Sequence, residues 1–70
     1  MHPNNIITAI ISERLRQDRI HPDNDLGDYL SILMEEVGEV ARAIQLKDID
    51  NLKEELIHVS AVCMRWMEEL

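Results

Sequence analysis

A single cysteine, Cys63, in a chain of 70 residues excludes any internal disulfide. It falls on an apolar helical stripe with Leu52, Leu56 and Val59, which predicts a buried thiol rather than a reactive one. Phenylalanine is absent, and Tyr29 and Trp66 are the only aromatic residues. Few side chains are therefore on offer for stacking against a nucleobase, and the place of Trp66 on an apolar stripe assigns it to packing. Basic residues are also few. Seven Lys and Arg stand against 14 Asp and Glu, giving a formal charge of −7 with the acids spread along the whole chain. That balance argues against binding a nucleic-acid polymer through its phosphates and against an anionic membrane surface. No apolar run approaches the length of a membrane span. The opening MHPNNIITAI lacks the basic and long apolar regions of a secretion signal. A soluble, cytoplasmic protein is expected.

Glycine and proline number two each, and no stretch alternates with strand period for more than a few residues. The reading is all-α. Helix one is expected from Asn5 to Arg19, capped by Asn4 or Asn5, with Ile6, Ile7, Ile10, Ile11 and Leu15 on its apolar side. The turn-rich segment His21-Pro22-Asp23-Asn24-Asp25 follows. Helix two is expected from a cap near Asp25 to about Leu46, on the order of 30 Å long. Its main stripe is Leu30, Leu33, Met34, Val37, Ala41 and Ile44. The short break from Lys47 to Asp50 permits only an antiparallel hairpin. Asp48 or Asp50 then caps helix three, whose main stripe is Leu52, Leu56, Val59, Cys63, Trp66 and Leu70. This helix runs to the last residue, which leaves open a chain truncated at its C-terminus.

Both later helices carry a second apolar patch: Ile32, Val40 and Ala43 on helix two, and Ile57, Ala61 and Met64 on helix three. A helix that is apolar over much of its girth is buried on more than one side. One domain spanning residues 1–70 cannot supply that burial. A chain this short buries only about 60% of the surface its unfolded form exposes, and scaffolds of this size usually need a staple. With disulfides excluded, metal and self-association remain. The expected architecture is a three-helix chain with an antiparallel hairpin that completes a four-helix-type bundle as a homo-dimer or tetramer.

The chemistry is concentrated in two motifs, Glu35-Glu36-x-x-Glu39 and Glu54-Glu55-x-x-His58. Spacing of i,i+3 sets Glu36 beside Glu39, and Glu55 beside His58, on the surface of a helix. Ile32, Val40 and Ala43 bracket the first pair, while Val59 and Val62 bracket the second. Carboxylates among apolar residues are costly unless something positive pairs with them. Glu39 lies eight residues before Lys47 and Glu55 eight after it, so an antiparallel hairpin brings them to similar heights. The candidate ligands are Glu36, Glu39, Glu55 and His58, with Glu35 adjacent. Most acidic pairs on helices are solvated faces, as read here for Glu54, Glu68 and Glu69. The second motif across the hairpin is what separates this set from that ordinary case. Oxygen-rich sites suit Mg²⁺ or Mn²⁺, and an imidazole moves the preference toward Mn²⁺, Fe, Zn or Co.

The segment from Leu30 to Ile44, LSILMEEVGEVARAI, closely resembles the signature helix of the MazG-like all-α nucleotide pyrophosphohydrolases. Glu13-Arg14-Leu-Arg-Gln17-Asp18 is similar to a stretch found in short, often phage-associated members. The resemblance extends from about Glu13 to Glu69. It implies an enzyme that cuts a nucleoside triphosphate between its α and β phosphates, releasing the monophosphate and pyrophosphate with Mg²⁺ held by motif acids. By motif position it implies Glu36, Glu39 and Glu55 as metal ligands and Glu35 as the residue that orients or activates water. Arg14 and Gln17 are implied as contacts to phosphate or base, and a dimer or dimer of dimers as the active form. The departure is His58, where the family has Asp. It should weaken Mg²⁺ binding, and it stands either as a ligand or as a polar contact to substrate. Two other readings compete. One is a catalytically weak relative that binds nucleotide or protein. The other is a carboxylate-bridged di-metal bundle, which uses Glu-x-x-His from each of two helices.

Overall fold

The computed structural model describes residues 1–22 and 26–70 and folds them into three helices: α1 (Pro3–Ile20), α2 (Leu26–Gln45) and α3 (Ile49–Glu68). There is no strand among the described residues. The cap expected near Asp25 lies outside them. α1 begins earlier than the asparagines suggest. Pro3 takes the first helical turn, where its fixed φ and missing N–H do no harm. His2 is the cap: its Nδ1 accepts from the Asn4 backbone N–H at 3.1 Å, and its carbonyl accepts from Asn5 and Ile6. Asn4 and Asn5 are thus inside the helix rather than at its cap.

The α2–α3 hairpin is closed by hydrogen bonds at both helix ends. Lys47 adopts a left-handed φ of 54°. The Lys47 N–H donates to the Ile44 carbonyl at 3.1 Å and the Asp48 N–H to the Ala43 carbonyl at 3.0 Å, the paired bonds of a Schellman terminus. Asp48 then caps α3, its carboxylate accepting from the Asn51 N–H at 3.1 Å. One aspartate therefore ends one helix through its backbone and starts the next through its side chain.

α3 is the shared wall of the fold. It packs against both α1 and α2, while those two helices do not pack on each other among the described residues. Burial follows from this placement: Ala61, Val62 and Arg65 of α3 are buried, with Tyr29 and Ala43 of α2 and Gln17 of α1. Tyr29 stacks on Trp66 with ring centroids 6.2 Å apart, and the Arg65 guanidinium lies over the Tyr29 ring at 5.5 Å. Arg65 also donates to the His21 carbonyl at 2.8 Å and pairs with Asp18 at 3.3 Å. Arg14 joins Asp18 to Glu68. These contacts tie the C-terminal end of α1 to that of α3.

The inward side of α2 follows Tyr29, Ile32, Glu36, Val40 and Ala43, all buried or half-buried. The stripe that is richest in large aliphatics faces out: Leu30, Met34, Val37 and Ile44 are exposed. The same holds for Ile49, Leu56, Met67 and Leu70 on α3 and its end, and for Ile7, Ile11 and Leu15 on α1. Cys63 is half-buried rather than sealed. On α2 the hydrophobic count of the stripe is thus the reverse of its role within one chain, whereas Leu52, Val59, Cys63 and Trp66 of the α3 stripe are half-buried.

The strain at Lys47 generates a test. A non-glycine residue in the left-handed region costs roughly 1–2 kcal/mol, partly offset by the greater chain entropy glycine loses on folding. Lys47→Gly should raise the urea midpoint, by up to about 1 kcal/mol of stability, at fixed protein concentration. An unchanged or lowered midpoint contradicts the strain.

Candidate metal centre and adjoining cavity

Three helices each send an acid toward one imidazole. Glu36 comes from the inward line of α2, Glu55 and His58 from adjacent turns of α3, and Glu13 from α1. His58 Nδ1 lies 3.5 Å from Glu36 Oε2 and 3.4 Å from Glu55 Oε2, and its Nε2 lies 3.8 Å from Glu13 Oε1. Ligand-type atoms of Glu36, Glu55 and His58 all fall within 4.8 Å of one another. Glu36 Oε2 and Glu55 Oε2 are both buried, and neither has a hydrogen-bond partner. Buried acceptors in that state are uncommon and costly. A divalent cation between the two carboxylates would satisfy both, so the donor set fits a metal ion.

The electrostatics point the same way. The Glu36 carboxyl is held above the ordinary carboxylate range, first by burial, then by hydrogen bonding with Glu55 in the protonated form and by repulsion from its charge; His58 opposes the shift. Two carboxylates this close, and partly desolvated, are relieved either by a proton between them or by a cation.

A cavity of about 190 Å³ opens beside the cluster, between α1 and α2 with α3 as its floor. It exists because α1 and α2 do not close on each other. Glu13, Glu36 and His58 line one part of it; Gln17, Tyr29 and Arg65 add polar and aromatic wall, and Ile20, Ile32 and Val62 the apolar part. Cavities that hold a drug-sized ligand are about 300–1,000 Å³. This one has room for a single ring system rather than a whole nucleotide.

Of the residues expected from sequence, Glu36, Glu55 and His58 come together. Glu39 is exposed and outside that group, because the inward line of α2 passes through Glu36 and Val40 and leaves it on the flank. Glu35 is also exposed. Gln17 is buried and lines the cavity, its Nε2 donating to Glu13 at 3.1 Å and to the His58 carbonyl at 3.4 Å. Arg14 does not line the cavity; its guanidinium is engaged by Asp18 and Glu68, which raise its pKa further. Sequence reasoning missed Glu13, Tyr29 and Arg65. Only the similarity of the stretch around Glu13 to short family members pointed near the first of them.

Glu36 sets a pH test on the metal-free protein. Its folded pKa is raised, so the folded state binds the proton more tightly than the unfolded state. Stability from this group is therefore greatest at acid pH and is lost as pH rises from the ordinary carboxylate range through the raised value. Glu36→Gln should melt higher than wild type at neutral pH without metal, and should lose less stability between acid and neutral pH. Equal melting curves at both ends of that range would contradict the shift.

The described residues contain no helix long and apolar enough to cross a membrane. Comparisons with curated proteins and with solved structures gave no match. The sequence pattern of the MazG nucleotide pyrophosphohydrolase domain matches residues 24–63, more than half of the chain. The match takes in α2, the hairpin and the part of α3 that carries Glu55 and His58, so the helices that build the acidic cluster are those of the family, and the chain belongs to the MazG nucleotide pyrophosphohydrolase domain family.

Proposed function

We propose that this chain hydrolyses (deoxy)nucleoside triphosphates to the monophosphate and pyrophosphate with the help of Mg²⁺ or Mn²⁺. The observation that carries this reading is the pair of buried oxygens on Glu36 and Glu55, which face one imidazole nitrogen and make no hydrogen bond, set on the helices of the matched domain. Glu36, Glu55 and His58 would hold the ion, with Glu39 one turn along α2 as a further acid. A bound divalent cation neutralises phosphate charge and activates water for in-line attack. Glu35, exposed and adjacent, is assigned the orientation of that water. The cavity takes the base: Ile20, Ile32 and Val62 exclude water from it, and Gln17 sits at its polar wall.

The working unit is proposed to be a homo-dimer or tetramer in the cytoplasm. The support is the outward stripe of Leu30, Met34, Val37 and Ile44 on α2 with Leu56 and Met67 on α3. Large apolar side chains exposed along a helix face in this way mark association. Sedimentation at micromolar concentration should give a mass of at least twice 8.2 kDa. Val37→Glu should lower it, since a charge in an apolar interface is not compensated. A fully helical wild-type monomer would sink the oligomer.

A second reading, a catalytically weak relative that binds nucleotide, is favoured by His58. Its Nδ1 stands within reach of both carboxylates and, when protonated, can serve them in a cation's place. Pyrophosphate release from a panel of canonical and modified dNTPs, with Mg²⁺ and with Mn²⁺, separates the two; no release from any substrate rejects the enzyme. His58→Asp should destabilise the metal-free protein by like-charge repulsion and enlarge the Mg²⁺-induced rise in melting temperature. The same Mg²⁺-induced shift in both proteins would place His58 outside the metal site.

A further inference from the structure

The carboxylate that faces the far nitrogen of His58 comes from α1, a helix that contributes none of the cluster's own ligand atoms, and at 3.8 Å it stands just beyond hydrogen-bond distance. Glu13 is only 11% exposed at its side chain, although it belongs to a strongly acidic, mostly solvated set of residues. Two neighbours fix it. Arg16 Nη1 donates to both of its oxygens, at 3.0 and 3.3 Å, and Gln17 Nε2 donates to Oε2 at 3.1 Å. The same Gln17 Nε2 reaches the backbone carbonyl of His58 at 3.4 Å. One buried carboxamide therefore gauges the distance between Glu13 and the residue it faces. The remaining direction of Glu13, through Oε1, is toward His58 Nε2 at 3.8 Å. The other ring nitrogen, Nδ1, faces Glu36 and Glu55.

From this geometry we infer that Glu13 is a positioning residue that holds His58 with Nε2–H toward α1, so that Nδ1 joins Glu36 and Glu55 as a nitrogen ligand and the centre selects Mn²⁺ or another nitrogen-accepting metal over Mg²⁺. This rests on the metal site proposed above and deepens it. The physical reason is general. The nitrogen of a histidine that binds metal is set by the hydrogen bond its other nitrogen makes. A carboxylate on that second nitrogen fixes the tautomer and raises ligand basicity. An imidazole ligand suits Mn²⁺, Fe, Zn or Co better than Mg²⁺, which demands oxygen. A histidine with no such support would turn freely, and the site would behave as an incomplete Mg²⁺ site. Glu13, Arg16 and Gln17 supply the support from three positions within a single turn of α1.

Pulsed electron paramagnetic resonance on the full chain loaded with Mn²⁺ alone, with ¹⁵N-histidine labelling, tests the ligand directly. The expected result is a histidine nitrogen coupling to Mn²⁺ that disappears in His58→Gln, which separates it from His2 and His21. Calorimetric titration of Mn²⁺ and Mg²⁺ tests the positioning. Glu13→Gln should weaken Mn²⁺ binding about tenfold or more and change Mg²⁺ binding less, lowering the ratio between them. A residue that served only to hold α1 in place would shift both affinities together. Mn²⁺ bound without any histidine coupling overturns the inference and leaves the pyrophosphohydrolase reading standing. An unchanged Mn²⁺ to Mg²⁺ ratio in Glu13→Gln overturns the role of Glu13. Should that variant fail to fold, the wild-type coupling and its loss in His58→Gln still decide whether His58 is a ligand. No Mn²⁺ binding at all overturns the metal site and the inference with it. None of these measurements uses nucleotide, so the pyrophosphate assay fails or succeeds independently.

Discussion

Two partly desolvated carboxylates facing each other across the α2–α3 contact are the constraint that the rest of this small fold accommodates. Glu36 and Glu55 each keep a buried oxygen without a hydrogen bond, a state that costs about 1–3 kcal/mol per group. The hairpin that brings them together is held by a left-handed lysine and a shared aspartate cap, not by a large core. His58 stands against both acids and partly compensates them. With four apolar side chains buried among the described residues, Tyr29, Ala43, Ala61 and Val62, the fold has little reserve to tolerate such a cluster unless something positive occupies it or further copies of the chain add burial.

The same economy explains the cavity and the outward stripes. A single helix, α3, serves as wall for both neighbours, so α1 and α2 are free to stand apart and leave a cleft next to the acids. The polar ties of Arg65 to His21 and Asp18, and of Arg14 to Asp18 and Glu68, fix the end of α1 on α3 beside that cleft. Arg65 is buried with its guanidinium over the Tyr29 ring, which places a planar cation at the wall of the cavity. Large aliphatics that would fill a bigger core point outward instead, where a partner's burial would compensate for the chain's small interior.

Much of the fold was legible in the sequence. Three helices, their approximate ends, the hairpin and the Asp48 cap follow from periodicity and capping chemistry. The imidazole cap at His2 was not, because the commoner caps Asn4 and Asn5 stand next to it and proline's preference for the first turn outweighed them. The inward face of α2 was not legible either. Periodicity identifies apolar stripes but does not say which meets the same chain, and here the smaller residues Ala43 and Ala61 allow close approach while the richer stripe faces away. In the site, Glu36, Glu55 and His58 could be placed from the hairpin alone. Glu39 shows the limit of that reasoning: equal height along two helices does not fix direction around them. Glu13 lies on a separate helix beyond a loop, so no local spacing relates it to His58. Tyr29 and Arg65 reach the cavity through stacking on each other, a pairing of residues 36 positions apart that sequence spacing does not encode.

The central claim is that Glu36 and Glu55 are unfavourable together without a cation and favourable with one. Thermal melting of wild type and Glu55→Gln across a Mn²⁺ titration, at fixed protein concentration and neutral pH, addresses it most directly. Wild type should start lower and rise with Mn²⁺ as mass action requires, while Glu55→Gln should start higher and rise much less, so that the two curves converge or cross. Parallel curves with the same Mn²⁺-induced rise would contradict a cation site built on this pair.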